Sequence, residues 1–334
     1  MSVETLTKVE QNRTKISFWK KIPQVYYFLV VVLLGGLILD QVFASGNILS
    51  NPSILRNILV RSVSLGIVAV GQTFVMLGAS IDLSVAYSIS LTAVMTSLIM
   101  QGDPARVPMA LGIVLLVGLA VGLTNGLLIT KLNVNPFIAT LGTGLIIKGV
   151  LNGMFSSGSL GSVPKGFQTL GYGSIGPVPY SILLLLVVVL IGWFILSWTK
   201  FGSHLYGVGG DNLIARLSGL RTSRVLTIAH IISSLTAVLA GLFIVSRLGA
   251  GNPTVGPDGV YDLESVATTV IGGTALSGGR GGVFGTIAGV FMFGIIDTVF
   301  NQLGVDTYLK MVLRGLIIIL AVASYSVRSK REAA

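Results

Sequence analysis

The chain of 334 residues contains no cysteine, only two histidines and few charged side chains. The absence of cysteine excludes disulfides, thiolate metal sites and cysteine nucleophiles, and it leaves the cellular compartment undecided. Charged residues make up 10% of the chain, against about 25% in a typical soluble domain, whereas hydrophobic residues make up 52%. Water is therefore not the main solvent for this chain.

Motifs for catalysis and nucleotide binding are also missing. The sequence contains no GxxxxGK[ST] phosphate-binding loop, no HExxH metal motif and no GxSxG nucleophile motif. The glycine-rich run GGRGG at residues 278–282 joins two hydrophobic segments and follows no strand, which favours a cytoplasmic turn over phosphate binding. The sequence therefore predicts a protein that is not an enzyme and that needs no cofactor or metal.

Ten segments are apolar enough to be membrane helices, each of which needs about 20 residues. The eighth is short, so it is expected to be tilted, broken or only partly spanning. The segments are 25–45, 58–79, 83–100, 109–130, 136–154, 180–198, 225–247, 263–276, 283–303 and 308–325. This pattern predicts an all-α polytopic membrane protein with about ten transmembrane helices.

The basic residues indicate the topology. Most lysines and arginines fall on one side of the membrane if both termini are cytoplasmic, as the positive-inside rule requires. The net charge of +10 then reflects insertion in a lipid bilayer and not a nucleic-acid partner. The predicted divisions are a basic cytoplasmic segment 1–24 without a cleavable signal pattern, a transmembrane domain 25–327 and a basic cytoplasmic tail 328–334.

The loop 199–224, TKFGSHLYGVGGDNLIARLSGLRTSR, is predicted to be cytoplasmic. We expect Gly209 and Gly210 to break the chain, Asp211 to cap a short amphipathic helix over 212–218, and Gly219 to end that helix. A helix this short is marginal in isolation. The segment is therefore either a surface loop with a nascent helix or a docking element for a cytoplasmic partner.

Glycine is abundant, with 43 residues, and some glycines recur at helical spacing. Such stripes let helices approach closely in a membrane, so they predict tight packing. Because the two stripes fall in spans four and nine, they suggest an inverted repeat of spans two to five and seven to ten. The stripes are Gly118, Gly122 and Gly126, and Gly281, Gly285 and Gly289.

Asp82 is the most informative polar residue at membrane depth. It follows the uncharged stretch 71–81 and precedes another apolar segment. A carboxylate in this setting must be capped, hydrated or functional, because a charge at the centre of a membrane helix is costly. Asp82 is expected either to cap the third span, accepting from the amides of Ser84 or Val85, or to act in transport.

Four further ionisable residues are singled out as lying at membrane depth. His230 lies near the start of the seventh span and is predicted to be a hydrogen-bonded structural histidine. Lys148, Asp297 and Arg314 are predicted to form ion pairs inside the bundle. A proton relay is the alternative, although relays usually use several carboxylates.

Four long motifs, in this order, carry a resemblance that covers residues 54–323. The chain resembles the inner-membrane permease subunits of ABC importers for monosaccharides of the ribose, xylose and galactose type. It departs from the common pattern around Ile-Asp-Leu-Ser, where small residues Ala79, Ser80 and Ala86 replace glycines. The motifs are GQTFVMLGASIDLSV at 71–85, NPFIATLGTGLIIKGV at 135–150, YGVGGDNLIARLSGLRTSRV at 206–225 and DLESVATTVIGGTALSGGRGGVFGTIAGV at 262–290.

The resemblance implies a set of partners and roles. Such permeases pair with a second permease subunit, bind two cytoplasmic ATP-binding subunits that hydrolyse ATP, and receive sugar from an extracytoplasmic binding protein in which selectivity largely resides. Residues 206–224 resemble the coupling helix that inserts into the ATP-binding subunit. The coupling candidates are Gly209, Gly210, Asp211, Asn212, Ala215, Arg216 and Gly219, and the candidates for the translocation pathway are Asp82, Asn125, Asn152 and Asn301.

Two other functions remain open at this point. One is a related importer permease for branched-chain amino acids or nucleosides, which shares the general architecture. The other is an ion-coupled secondary transporter, which would need a coupling carboxylate such as Asp297 and no ATP-binding subunit. The sugar and the identity of the second permease subunit do not follow from the sequence.

Overall fold

A computed structural model describes residues 29–30, 32–36, 52–155, 158–306, 308–316 and 319. The predicted segments 1–24 and 328–334 lie outside these residues. Residues 29–30, 32–36, 308–316 and 319, from the first and last predicted spans, are helical. The other helices are α1 (Pro52–Leu77), α2 (Val85–Met100), α3 (Val107–Thr130), α4 (Pro136–Met154), α5 (Lys165–Tyr172), α6 (Tyr180–Trp198), α7 (Lys200–Gly210), α8 (Asn212–Leu217), α9 (Thr222–Leu248), α10 (Val255–Asp258), α11 (Tyr261–Ile271) and α12 (Val283–Gln302).

The prediction of an all-α polytopic membrane protein is confirmed. Six described helices are long and apolar enough to cross a membrane: α1, α3, α4, α6, α9 and α12. The span of α3 includes the short 3-10 turn Pro104–Arg106 that precedes it. Within the described ranges the strands are one short pair, β1 (Ser174–Ile175) and β2 (Val178–Pro179). The total of about ten spans and the cytoplasmic position of both termini stay predictions.

Helices α1 and α9 form the centre of the bundle. Along the most apolar part of α1, 89% of the residues are buried, whereas the corresponding figure for α3 is 22%. Phe74 and Phe243, from the two central helices, are among the largest fully buried side chains. The exposed leucines of α3, such as Leu116, suit contact with lipid because a membrane helix needs no polar outer face.

Both central helices are followed by a break and a shorter helix. Helix α1 ends before the irregular segment 78–84, and α2 begins at Val85. Helix α9 ends before segment 249–260, which contains α10, and α11 begins at Tyr261. The chain has a similar sequence where each shorter helix begins, IDLSV at 81–85 and YDLESV at 261–266, the second lying within α11 itself. This likeness is a further argument for the predicted repeat, whose symmetry stays a prediction.

Helix α11 is shorter than a membrane span. Its 11 residues extend about 16 Å at 1.5 Å per residue, roughly half of the 30 Å hydrocarbon core. The shortness expected for the eighth predicted span, 263–276, is therefore confirmed. Irregular backbone is tolerated inside a membrane only where it is buried in protein or borders a water-filled space.

Candidate functional site

The α7–α8 segment has the predicted short helix but a different break. Gly209 and Gly210 are the last residues of α7, so the prediction that they break the chain is wrong. The break falls at Asp211, whose backbone is extended. Its Oδ1 accepts a hydrogen bond from the Ile214 N–H at 2.9 Å, which confirms the predicted cap. Gly219, with φ of +84°, follows the end of α8 in the left-handed region where glycine is favoured.

Helix α8 presents apolar side chains to the outside of the bundle. Leu213, Ile214 and Leu217 are 66%, 62% and 79% exposed, whereas Ala215 is buried against the bundle. The helix has six residues, too few to be stable by itself, and Asp211 and the Ala215 contact hold it in place. We call Leu213, Ile214 and Leu217 the α8 surface. It is an apolar patch on a segment too polar to be a membrane span.

Three backbones meet where the α7–α8 segment joins the bundle. A Cβ atom at Gly209 would lie 1.7 Å from the carbonyl oxygen of Leu77, so only glycine fits there. That same oxygen accepts a hydrogen bond from the Gly279 N–H at 2.9 Å. We call Leu77, Gly209 and Gly279 the glycine junction. It joins the end of α1, the end of α7 and the GGRGG turn, which explains that turn as a packing element.

Tyr206 adds a side-chain contact beside the glycine junction. Its hydroxyl donates a hydrogen bond to the carbonyl oxygen of Gly281 at 2.9 Å. Burial raises the pKa of Tyr206 because the phenolate would lose solvation, so the hydroxyl remains a donor at physiological pH. The α7 helix and the GGRGG turn are thus fixed to each other by a hydrogen bond as well as by close packing.

The first glycine stripe packs as predicted. Cβ atoms at Gly122 and Gly126 would lie 2.6 Å and 2.7 Å from the Cα atoms of Ile231 and Thr227 in α9. At Gly118 a Cβ would meet the Val238 side chain at 2.3 Å. The stripe therefore brings α3 against α9.

The second glycine stripe is only partly helical. Gly285 and Gly289 of α12 face backbone oxygens of Gly272 and Thr268, which confirms close packing against α11. Gly281 precedes α12 and has φ of +128°, so its place in a helical stripe was predicted wrongly. A glycine is favoured at position 281 because the turn gives this residue a positive φ.

Asp82 belongs to a closed polar cluster. Its Oδ1 accepts hydrogen bonds from the Ser84 N–H at 3.0 Å, as predicted, and from the Ser84 hydroxyl at 2.6 Å. The N-cap residue of α2 is Ser84 and not Asp82, however, so Asp82 does not cap the helix itself. The Asn125 side-chain N–H donates to the same hydroxyl at 2.9 Å. The Gln72 amide, turned to satisfy both groups, donates to the Asp82 carbonyl oxygen at 3.1 Å and accepts from its N–H at 3.3 Å. These bonds hold segment 78–84 between α1 and α3.

His230 connects this cluster to α9. Its Nε2 is 2.9 Å from the Ser80 hydroxyl, and its Nδ1 is 3.9 Å from Asp82 Oδ2. The ring is fully buried, so the predicted hydrogen-bonded histidine is confirmed. We call Asp82, Ser84, Asn125 and His230 the Asp82 cluster. Since its side chains are inaccessible, the cluster supports the irregular backbone and leaves no open space for a ligand in this conformation.

The four pathway candidates do not lie together. Asp82 and Asn125 are fully buried in the Asp82 cluster. Asn152 in α4 and Asn301 in α12 are exposed, and Asn301 Oδ1 accepts a hydrogen bond from Lys310 Nζ at 2.6 Å. A pathway role for any of the four stays a prediction.

A second polar cluster is charged. Arg314 lies between Asp297, to which it donates hydrogen bonds, and Glu264, whose Oε1 is 3.0 Å from Arg314 Nη1. Lys148, predicted to join these ion pairs, instead lies 6.0 Å from the ring centre of Tyr87. Glu264 was not among the predicted site residues, since in YDLESV the residue that corresponds to Asp82 is Asp262.

The bundle of long apolar helices, with the short helix α8 exposed beside it, defines the chain as a polytopic membrane protein. Residues 54–322 match the family described as branched-chain amino acid transport system / permease component. The chain belongs to this family. It is a multi-pass protein of the inner membrane.

Curated relatives cover most of the chain. The ribose import permease protein RbsC of Bacillus subtilis is 36% identical over 282 residues, 81% of this chain and 86% of the relative. The D-allose transport system permease protein AlsC of Escherichia coli is 31% identical, covering 97% and 98%. The galactose/methyl galactoside import permease protein MglC of Salmonella typhimurium is 30% identical, covering 96% and 98%. No solved structure matches the chain.

Proposed function

We propose that the chain is the transmembrane permease subunit of an ATP-driven importer that carries a monosaccharide or related polyol inward across the inner membrane. The α8 surface is the observation that carries this proposal. Three exposed apolar side chains on a capped helix are suited to insertion into a groove of another protein. The similarity to relatives named as permeases for ribose, galactose and allose supports the sugar class.

The partners follow from this role. Cytoplasmic ATP-binding subunits dock on the α8 surface and hydrolyse ATP, so the permease itself is not an enzyme. A second permease subunit, either a copy of this chain or a paralogue, completes the pathway. An extracytoplasmic binding protein delivers the sugar. The α8 surface then faces the cytoplasm, as do both termini of a chain with about ten spans.

The glycine junction provides a route for mechanical coupling. Movement of α8 must displace Gly209, which is in backbone contact with Leu77 and Gly279. Leu77 immediately precedes the irregular segment 78–84, which the Asp82 cluster holds between α1, α3 and α9. Closely packed backbones transmit displacement because they have no free volume to absorb it. We propose that ATP-driven closure of the partner subunits changes the positions of α1 and α2 by this route.

Co-expression with its ATP-binding subunit tests the proposal. In wild type, the two subunits should purify together in detergent. Leu217→Asp should abolish this association, because a charge would enter an apolar groove, while leaving permease stability unchanged at a side chain that is 79% exposed. Stability is measured as the thermal unfolding midpoint of the purified permease.

Leu132→Asp is the matched control. Leu132 is 67% exposed and follows Thr130, whose hydroxyl lies 3.4 Å from that of Thr227 near the start of α9, so it lies at the same end of the bundle as α8. This variant should retain the ATP-binding subunit. If Leu217→Asp also retains it, the α8 surface is not the docking site. If wild type never retains it, the importer assignment fails.

The charged cluster around Arg314 does not support the hypothesis of an ion-coupled transporter. Its best carboxylate, Asp297, is hydrogen-bonded to Arg314 and is therefore engaged in an ion pair. The amino-acid importer differs from the proposal only in cargo, and uptake measurements with labelled sugars and leucine separate the two.

A further inference from the structure

A cavity of about 460 Å³ lies in the half of the bundle away from α8. Its wall includes Arg247, two residues from the end of α9, whereas α8 lies beside the start of that helix. It also includes Asp258 from the irregular segment 249–260 and Glu264 from the first turn of α11. Its volume is within the roughly 300–1,000 Å³ range of small-molecule sites. The cavity is not part of the proposed route from α8 through the glycine junction to α1.

The lining of the cavity combines both signs of charge with aromatic rings. Three arginines and three acidic residues line the cavity, so their formal charges cancel and the cavity favours a ligand without net charge. The aromatic rings supply apolar faces of the kind on which the C–H faces of a sugar ring pack. The charged residues are Arg61, Arg247, Arg314, Asp258, Glu264 and Asp297, and the rings are Tyr172, Phe243, Tyr261 and Phe293.

Arg61 is the strongest indication that the cavity contains water or a polar ligand. It lies about 14 Å along α1 from Pro52, at 1.5 Å per residue. Its side chain is exposed, and within the described ranges it has no ion-pair partner. A guanidinium without an ion-pair partner needs water or another polar group beside it, because a charge is costly to place in lipid. The cavity that it lines is therefore polar.

Other groups in the wall keep hydrogen-bonding capacity. The side chain of Glu264 is only 7% exposed. Its Oε1 accepts no hydrogen bond, although Arg314 is close. Arg247 stacks with the rings of Tyr172 and Phe243, with its guanidinium carbon 5.8 Å and 6.0 Å from their centres. Charged donors such as Arg247 bind hydroxyl groups strongly, because charge-assisted hydrogen bonds are stronger than neutral ones.

We propose that this cavity is a binding site for the neutral polyhydroxy cargo within a single permease chain, reached from the side opposite α8. Arg61 and Arg247 donate to the hydroxyl groups, Glu264 accepts from one of them, and the aromatic rings contact the apolar face of the ring. The inference rests on the proposed function, since it identifies the cargo as the ligand. The permease then holds the sugar between its release from the binding protein and its passage through the bundle.

Direct binding to the full chain in lipid nanodiscs, without binding protein or ATP-binding subunit, tests this site. The probes are labelled ribose, galactose and allose, each measured separately, with leucine as competitor. At least one sugar should bind saturably and leucine should not displace it. Arg61→Ala should weaken binding by about tenfold, the effect of losing one hydrogen bond to a charged group, and Arg61→Lys should weaken it less.

Arg106→Ala is the matched control. Arg106 is exposed, pairs with Asp103 at 3.4 Å on the short turn before α3, and does not line the cavity. It should bind sugar like wild type. Arg247→Ala serves as a second cavity variant, and the unfolding midpoint of every variant is measured so that unfolded protein is excluded.

Three results would overturn the inference. These are no saturable binding of any of the three sugars, equal binding by wild type and both folded cavity variants, or displacement of the sugar by leucine. ATP-dependent uptake by the assembled importer is measured with the same sugars. Uptake without binding by the permease alone defeats the cavity site and leaves the importer function standing. Cavity-dependent binding without ATP-dependent uptake supports the site and defeats the importer function.

Discussion

The polar residues in the two halves of the bundle differ in burial and in what they contact. Beside α8, the Asp82 cluster is fully buried and its hydrogen bonds tie a broken helix to its neighbours. In the other half, the charged cluster around Arg314 forms part of the wall of a cavity. The first arrangement gives a rigid element that can transmit movement, and the second leaves room for a ligand. Burial of a carboxylate therefore does not by itself identify a transport site.

The largest expected effect is at Asp82. Asp82→Ala removes the acceptor for two Ser84 hydrogen bonds and leaves His230 buried without its neighbouring carboxylate. We expect a loss of about 3 kcal/mol in the free energy of unfolding, because breaking one side of a buried polar network leaves its partners unpaired. Denaturant unfolding of the purified permease measures this.

Asp103→Ala is the control for Asp82. Asp103 is exposed and accepts a hydrogen bond from the Ala105 N–H at 2.9 Å in the short turn before α3. Asp103→Ala should lower the free energy of unfolding by no more than about 1 kcal/mol. Equal costs for the two variants would contradict the structural role of the Asp82 cluster.

Gly209→Ala should have the next largest effect. The added methyl would overlap the Leu77 carbonyl oxygen, and relief of the clash should cost about 2 kcal/mol and weaken retention of the ATP-binding subunit. Gly210→Ala is the matched control, since a Cβ there meets nothing within 4 Å. Both variants are compared by unfolding and by co-purification. If they behave alike, the glycine junction does not couple α8 to α1.

Asn125→Ala separates a structural from a pathway role. Loss of the hydrogen bond to Ser84 should cost about 1–2 kcal/mol, while the uptake rate per folded permease stays near that of wild type. Asn152→Ala, at an exposed position, should leave stability unchanged. Loss of uptake by Asn125→Ala at wild-type stability would instead place Asn125 in the pathway.

The smallest effect is a pH-dependent one at Tyr206. Its raised pKa means that the neutral hydroxyl is favoured in the folded state, so its stabilising contribution is present below the ordinary value of 10.0. That contribution is lost as the pH rises through the raised pKa. Tyr206→Phe should therefore be about 1 kcal/mol less stable than wild type at neutral pH, and the difference should vanish in strong alkali. A difference independent of pH would contradict the hydrogen-bond assignment.

Hydropathy predicted most of the helices because apolar length is a strong local signal. The segments 136–154 and 180–198 coincide with α4 and α6. The Asp211 cap and the bond from the Ser84 N–H to Asp82 were also predictable, since each is a short-range contact. The glycine stripe of α3 was predictable from its spacing, although its partner α9 was not, because pairing of helices depends on tertiary packing.

The cavity was not predictable from the sequence. Its wall joins α1, α9, α11, α12 and residue 314, which are far apart along the chain. Arg61, Arg247 and Glu264 lie near the ends of predicted spans, where a charged residue carries no signal of a site. The sequence likewise does not distinguish Gly209 from Gly210. Only the contact of Gly209 with Leu77 in the folded chain separates the two.

ATP-dependent sugar uptake is the most direct test of the account. Proteoliposomes contain the permease and its ATP-binding subunit, with binding protein and labelled ribose, galactose or allose on the side opposite the ATP. Wild type and Leu132→Asp should accumulate at least one sugar only with ATP, and Leu217→Asp should not. Uptake by Leu217→Asp equal to wild type, or uptake driven by an ion gradient without ATP, would contradict coupling through the α8 surface.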